Sequence, residues 1–222
     1  MLLLAIDTSG RQGSIALARA GNDFEIVGAA SLTGGTFSAQ LVPQISQLLA
    51  THGFGKQDLD AFAVAAGPGS FTGLRIGLAV VKALAEVLQR PVAAVSLLEA
   101  CVFASGTEGR IMAALDAGRG DVYVGEYEIP AKSGELPREH MLSRNEFLSQ
   151  AKGWRVVTPD VGLAGAARAA GLNVVELPAI SAEAVARLGW GKLQSGETVG
   201  PDQLEANYIR RTDAEMLEKM GS

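Results

Sequence analysis

The sequence is short of the residues that carry metal and covalent chemistry. Its 222 residues include one cysteine, Cys101, and two histidines, His52 and His140. A single thiol can neither close an intramolecular disulfide nor build a cysteine-rich zinc site, and neither histidine stands in H-E-x-x-H or H-x-x-x-H spacing. A zinc hydrolase is therefore excluded. A serine triad would have to recruit one of those two histidines, both in segments that read as solvated, and Ser70 lies outside any G-x-S-x-G motif. Cys101 itself sits in the apolar stretch AVSLLEACVFA and reads as a small buried hydrophobe in a reducing compartment. Basic charge is scarce as well. Nineteen Lys and Arg face 24 Asp and Glu, for a formal charge of -5 and a pI near 5.1. The basic footprint of a free-standing nucleic-acid binder is missing, so any RNA role is expected to run through a partner. Long apolar runs are missing too. The amino-terminal MLLLAIDTSG has no basic flank and its apolar stretch stops at Asp7, far short of the roughly 20 residues of a membrane span. The chain reads as cytoplasmic, with no membrane partner.

What is present is core-forming material. Apolar residues make up 48% of the chain and charged residues 19%, which describes a folded globule of one or two domains. The opening LLLAI, the run SIALARA and FEIVGAAS, separated by the turn chemistry of DTSGRQG and GND, read as three antiparallel strands. A helix is expected from about Ser38 to His52, where Leu41, Val42, Ile45, Leu48 and Leu49 recur at helical spacing and Pro43 disturbs an early turn. DAFAVAA reads as a buried strand closed by Gly67-Pro68-Gly69. The most marked helix runs from about Ser70 to Gln89, ended by Pro91, and VAAVS follows as a strand. The order is three strands, helix, strand, helix, strand: an α/β chain with a mixed sheet and crossover helices. After Ser96 the pattern partly restarts. A short helix (LLEACVFAS) leads to strands RIMAALDAG and DVYVGEYEI, and Leu115-Asp116-Ala117-Gly118 echoes Ile6-Asp7-Thr8-Ser9-Gly10, the mark of two related halves. Residues 130–155 read as a charged loop with one short helix. A strand (RVVT), an Ala-rich helix, a strand (LNVVEL) and a last helix (ISAEAVARLGWGKLQSG) complete the chain. The domains are expected at 1–97 and 98–222, with that last helix able to pack back on the first.

Two segments are candidates for phosphate chemistry. A glycine-rich approach to a helix start, as in GPGSFTGLRIG with Gly67, Gly69 and Ser70, can hold an anion on free N–H groups. It equally makes a tight turn capped by Ser70, with Gly73 and Gly77 admitting a neighbouring backbone. It is neither a Walker loop nor a dinucleotide fingerprint. Asp7, Thr8, Ser9 and Ser14, with Asp116 as a second arm, could hold Mg²⁺ and phosphate, or the two carboxylates could simply cap turns. The apolar stripes of the two long helices also have two readings. They belong either to the chain's own core or to a partner surface on which Gly73, Gly77, Val80, Val81 and Leu84 permit a close helix crossing.

Taken together, LLAIDTSG, AVAAGPGSFTGLRIGL, PVAAVSLLEA, ALDAGRGDVYVGEYE and NYIRR resemble the TsaB (YeaZ) family over nearly the whole chain. That resemblance implies an actin-like, sugar-kinase-like (ASKHA, ribonuclease H-like) architecture of duplicated domains, with mixed sheets flanked by helices. It also implies a non-catalytic role in making threonylcarbamoyladenosine on tRNA. The catalytic paralogue TsaD would carry the metal, ATP or ADP would sit on partner subunits, and the TsaE ATPase would join the pair. The implied interface lies on the two helices near 38–52 and 70–89, at Leu41, Val42, Ile45, Leu48, Leu49, Gly73, Leu74, Arg75, Gly77, Val80, Val81 and Leu84. Asp7, Thr8, Ser9, Ser14, Gly67, Gly69, Ser70 and Asp116 become vestigial phosphate loops, with no metal and no cofactor of the chain's own. Alone, the protein is expected to form a homodimer through the same helices, and tRNA is reached only through the complex. The chain departs from the family where many relatives carry a histidine and an acidic residue and it has Thr36-Phe37-Ser38-Ala39-Gln40. It departs again where P-x-Y-L-R is replaced by Ala206-Asn207-Tyr208-Ile209-Arg210, and Gly162-Leu163-Ala164-Gly165 makes a poor adenosine motif, so autonomous nucleotide binding is expected to be weak. Two other readings remain open: a small actin-fold ATP-dependent phosphotransferase or ATPase using Asp7 and Asp116, and a homodimeric scaffold for an unrelated client.

Overall fold

The computed structural model describes residues 1–21, 23–32, 37–131 and 137–209. The chain forms two compact units, one of Met1–Ala100 with Ile180–Asn207 and one containing Cys101–Ala179. The sequence boundary at 97/98 treats everything after it as one domain. The structural division falls at Ala100, and the last helix belongs with the first unit.

In the first unit, β1 (Leu2–Asp7), β2 (Gly13–Ala20), β3 (Phe24–Leu32), β4 (Ala61–Gly67) and β5 (Val92–Ser96) form a sheet ordered β3-β2-β1-β4-β5. The hairpin pairs β1–β2 and β2–β3 are antiparallel, whereas β1–β4 and β4–β5 are parallel. Parallel pairing requires crossovers, supplied by α1 (Phe37–Thr51) and α2 (Phe71–Leu88). Every residue of β1 and β4 is buried, and their uninterrupted apolar runs follow from helices covering both faces. On one face Leu2, Leu4, Ile6, Ile15, Leu17, Phe62 and Val64 share a core with Leu41, Ile45, Leu74, Leu78 and Val81 of the two crossover helices. Each such side chain, fully buried, contributes about 1.5–3 kcal/mol. The other face is small-residue, and α6 (Ala182–Ser195) lies against β1, β2, β4 and β5. A Cβ on Gly189 would run into the Ala63 Cβ, so glycine on the helix and alanine on the strand set how closely these two elements approach.

The crossover helix α2 begins where Ser70 Oγ accepts the Gly73 N–H at 3.3 Å, and it stops at Gln89, whose φ of 54° is left-handed. Both ends lie within a residue of the sequence reading, because a serine cap and a nearby proline mark them locally. Pro43 sits inside α1.

The second unit repeats the plan. After α3 (Leu97–Ser105), β6 (Gly109–Gly118), β7 (Asp121–Ile129), β8 (Arg138–Ser143), β9 (Arg155–Thr158) and β10 (Asn173–Glu176) form a sheet ordered β10-β9-β6-β7-β8. The β6–β7 and β7–β8 pairs are antiparallel, and β6–β9 and β9–β10 are parallel. Counted from each unit's first strand, both sheets have the order 3-2-1-4-5, the duplicated ribonuclease H-like arrangement. Met112, Val122, Val124, Leu142, Phe147, Val156 and Leu163 fill the core, with α4 (Arg144–Gln150) and α5 (Val161–Ala169) contributing Phe147 and Leu163. One element corrects the sequence reading. Residues 138–143, read as part of a charged loop, form strand β8. Only Leu142 of REHMLS is fully buried, so an edge strand held by its β7 partner shows no hydrophobic alternation to betray it.

Candidate functional site

The first candidate site is the loop leaving β1. Asp7 Oδ1 accepts two hydrogen bonds from Ser9, from its N–H at 2.9 Å and from its hydroxyl at 2.6 Å. Thr8 Oγ1 donates to the Gly73 carbonyl at 2.7 Å. Asp7, Thr8 and Ser9 are all buried. Burial pushes the Asp7 carboxyl above its ordinary value, with the two bonds from Ser9 opposing part of that rise. A desolvated carboxyl favours its neutral form, the wrong state for gripping a cation. Glycine makes this closure possible. A Cβ on Gly73 would collide with the Thr8 carbonyl oxygen, one on Gly77 with Thr8 Oγ1, and one on Gly69 would come within 2.7 Å of the Ser9 carbonyl oxygen. The three glycines therefore admit this chain's own β1 loop against α2.

The remaining loop candidates also carry intrachain duties. Ser14, opposite Asp7 in the sheet register, accepts the Ala182 N–H at 2.8 Å and so caps α6 from a neighbouring strand. Gly67 has a φ of 122°, and its Cβ position lies 2.8 Å from the Asn207 carbonyl oxygen, while the Asn207 N–H donates to the Ala66 carbonyl at 2.7 Å. In the second unit, Asp116 is exposed and accepts the Gly118 N–H at 3.2 Å, an ordinary turn cap. Gly162 opens α5, where Asp160 caps Leu163. Among the described residues no group of three or more His, Cys, Asp or Glu is placed to hold a metal ion, and the donor set at Asp7 does not fit a magnesium–phosphate site. Of the two readings of these residues, the geometry favours turn and helix capping.

The second candidate is the α1–α2 pair, whose helices pack side by side. Leu41, Ile45, Leu48, Leu49, Leu74 and Val81 are buried in the first unit's core, and Gly73 and Gly77 are buried against the β1 loop. They are corrected from surface to interior residues: the stripe that looked too wide for one seam is consumed by the sheet. Of the expected interface set, Val42 and Arg75 are exposed and Val80 and Leu84 half-buried. The solvent side nevertheless carries apolar side chains, interleaved with exposed Ser46, Gln47, Arg75 and Glu86. Val42 is 54% exposed, Phe71 49% and Val87 74%, with Ala39, Pro43, Ala79 and Ala83 also exposed. Ala79, Ala83 and Val87 follow at i, i+4, i+8 along one helix face. The Arg75 guanidinium lies 3.7 Å from the Phe71 ring centroid. The signal that would have found these residues is an absence: α1, FSAQLVPQISQLLAT, contains no charged residue at all. A solvated helix face normally carries charge. Thr36 and Arg210, where the sequence departs from family patterns, lie outside the described residues; Ile209 is half-buried and Tyr208 exposed.

The topology defines a duplicated α/β protein of the ribonuclease H-like class. A family profile described as TsaD, tRNA N6-adenosine threonylcarbamoyltransferase, matches residues 31–152. Curated relatives narrow this class. The tRNA threonylcarbamoyladenosine biosynthesis protein TsaB of Escherichia coli is 30% identical over 96% of both chains. TsaB of Bacillus subtilis is 41% identical over 58% of this chain and 56% of its own. Among solved structures, YeaZ from Pseudomonas aeruginosa is similar at a TM-score of 0.71 and 29% identity, covering 94% of this chain and 99% of that one. The chain belongs to the TsaB (YeaZ) family of tRNA threonylcarbamoyladenosine biosynthesis proteins. No helix among its described residues is long and apolar enough to cross a membrane.

Proposed function

We propose that this protein is a non-catalytic subunit that supports a TsaD-like paralogue in forming threonylcarbamoyladenosine on tRNA, in the cytoplasm and with a TsaE-like ATPase as third member. The observation that carries the reading is the outer surface of α1 and α2, two adjacent helices presenting exposed Val42, Phe71, Ala79, Ala83 and Val87. Exposed apolar side chains of this kind gain free energy on leaving water, which favours pairing. The β1 loop supports the same reading from the other side, since its carboxyl is folded onto Ser9 and its hydroxyl onto Gly73. Nucleotide and metal are then business of the partner subunits, and a homodimer through the same face is the resting form when the paralogue is absent.

The test is mass determination of the chain alone and mixed with its paralogue, coupled to tRNA modification by the mixture. A Val42→Glu/Val87→Glu double variant is expected to fold normally, because surface changes cost within about 0.5 kcal/mol, and to lose both the hetero-complex and the modification. Ile45→Glu, by contrast, is expected to unfold the first unit. Modification that proceeds equally well without this chain refutes the proposal, and saturable ATP binding by the isolated chain that Asp7→Asn abolishes restores the phosphotransferase reading.

A further inference from the structure

The second unit contains a groove that the pairing helices do not explain. It holds about 770 Å³ and is lined by the segments leading into three adjacent parallel strands: Glu108–Arg110 before and into β6, Lys152–Arg155 into β9, and Ala170–Asn173 into β10. Each segment turns on a glycine of positive φ, at Gly109 (91°), Gly153 (82°) and Gly171 (77°), and nothing lies within 4 Å of a Cβ built at any of them. At these three glycines the rim is backbone without side-chain bulk, open to a chain laid across it. Three cations converge on it, Arg110, Lys152 and Arg155, against the single carboxylate of Glu108. Among the described residues none of the three pairs with a carboxylate. In a chain of net charge -5, this local concentration of unpaired positive charge is unusual.

One of the cations also rests on an aromatic ring. The Arg110 guanidinium carbon lies 4.1 Å from the Trp154 ring centroid, and Trp154 is itself packed against the second unit's core. The contact with the indole restrains the guanidinium, so part of the ordering cost of a long side chain is met before any ligand arrives. A stacked guanidinium with an exposed outer face is a platform for a nucleobase, and lysine and arginine beside it suit phosphate oxygens.

We propose that this groove binds a single-stranded polynucleotide segment, with phosphates on Lys152 and Arg155 and one base laid on Arg110. The proposal rests on the tRNA role above only in taking RNA as the strand. It departs from the expectation that tRNA is met only through the complex, since an overall acidic balance does not determine a local cluster. The openness of the groove favours a strand passing through over an enclosed mononucleotide.

The experiment uses the full chain and a fluorescein-labelled single-stranded oligoribonucleotide of about ten residues, within the range of strand-binding sites. Anisotropy at low salt is expected to show saturable binding. With two phosphate contacts, log K should fall against log salt with a slope of about -1.4. Arg110→Glu/Lys152→Glu alters two exposed side chains, so folding is not at stake, and it is expected to weaken binding at least tenfold. Arg110→Lys keeps the charge and loses the plane, so affinity should fall severalfold with the slope unchanged. Absence of binding, indifference to the double variant, or displacement of the strand by equimolar ATP would each overturn the proposal, the last by making this a small-phosphate site. Co-elution of the same double variant with the TsaD-like paralogue is measured in parallel. Pairing retained with RNA binding lost is the expected pattern, and failure of the wild-type chain to pair would sink the subunit reading without touching the groove.

Discussion

Gly73→Ala should destabilise the first unit although alanine is the better helix former. In an exposed helix interior the exchange gains at most about 1 kcal/mol. At Gly73 the new methyl would meet the Thr8 carbonyl oxygen, a backbone atom held in place by the turn that also carries the buried Asp7 and Ser9. Overpacking of this kind costs about 1–3 kcal/mol. Pushing Thr8 away also stretches its hydroxyl bond to the Gly73 carbonyl, a further loss of about 1 kcal/mol. The net loss is about 2 kcal/mol, close to a thirtyfold fall in the folded-to-unfolded ratio. Gly191→Ala is the matched control. Gly191 is exposed in α6 of the same unit, with nothing within 4 Å of its Cβ position, so there the same exchange is expected to stabilise by up to about 1 kcal/mol. Urea unfolding followed by circular dichroism reads both. If Gly73→Ala is neutral or stabilising, the close approach of α2 to the β1 loop, and with it the argument that this loop is closed to phosphate, is wrong.

Three further outcomes follow from single side chains. Burial raises the Asp7 pKa above that of the unfolded chain, so the native state keeps its proton to higher pH; Asp7 favours folding fully below the unfolded value near ~4 and progressively less as pH rises toward the native one. Asp7→Asn should remove that slope from the pH–stability curve and leave pairing with the paralogue intact, whereas a phosphotransferase would lose its activity. Ser14→Ala removes the acceptor for the Ala182 N–H and should cost about 1 kcal/mol in unfolding free energy, as loss of a helix cap does. Burial pushes the Cys101 thiol up to about 12, so a thiol reagent at neutral pH should label it at the rate of unfolding and not at the rate of a free thiol.

Much of the fold was legible because its signals are local. LLLAI and AFAVAA announce strands covered on both faces, and Ser70 and Pro91 bracket α2. The doubled Asp-containing turn at Asp7 and Asp116 marks the ends of β1 and β6, the first strands of two sheets with one order. Strand β8 was hidden because its partner, not its own composition, makes it a strand. The pairing face was only half legible. Periodicity showed that α1 and α2 are amphipathic, but α1 has uncharged residues all round, so only the packing reveals that Leu41 and Ile45 point inward while Val42 points out. The basic groove left no trace in any one segment, since its residues come from three stretches spread between Glu108 and Asn173.

The return of α6 to the first sheet has a consequence for synthesis. That sheet is complete in strands by Ser96, yet the helix covering its alanine-rich face begins at Ala182. On the ribosome, a nascent chain holding all five strands would still display an apolar plane, to be shielded by a chaperone or left waiting while some eighty intervening residues emerge. Truncation at the midpoint would therefore yield a sticky fragment, and translation pauses late in the message would be tolerated less well than early ones.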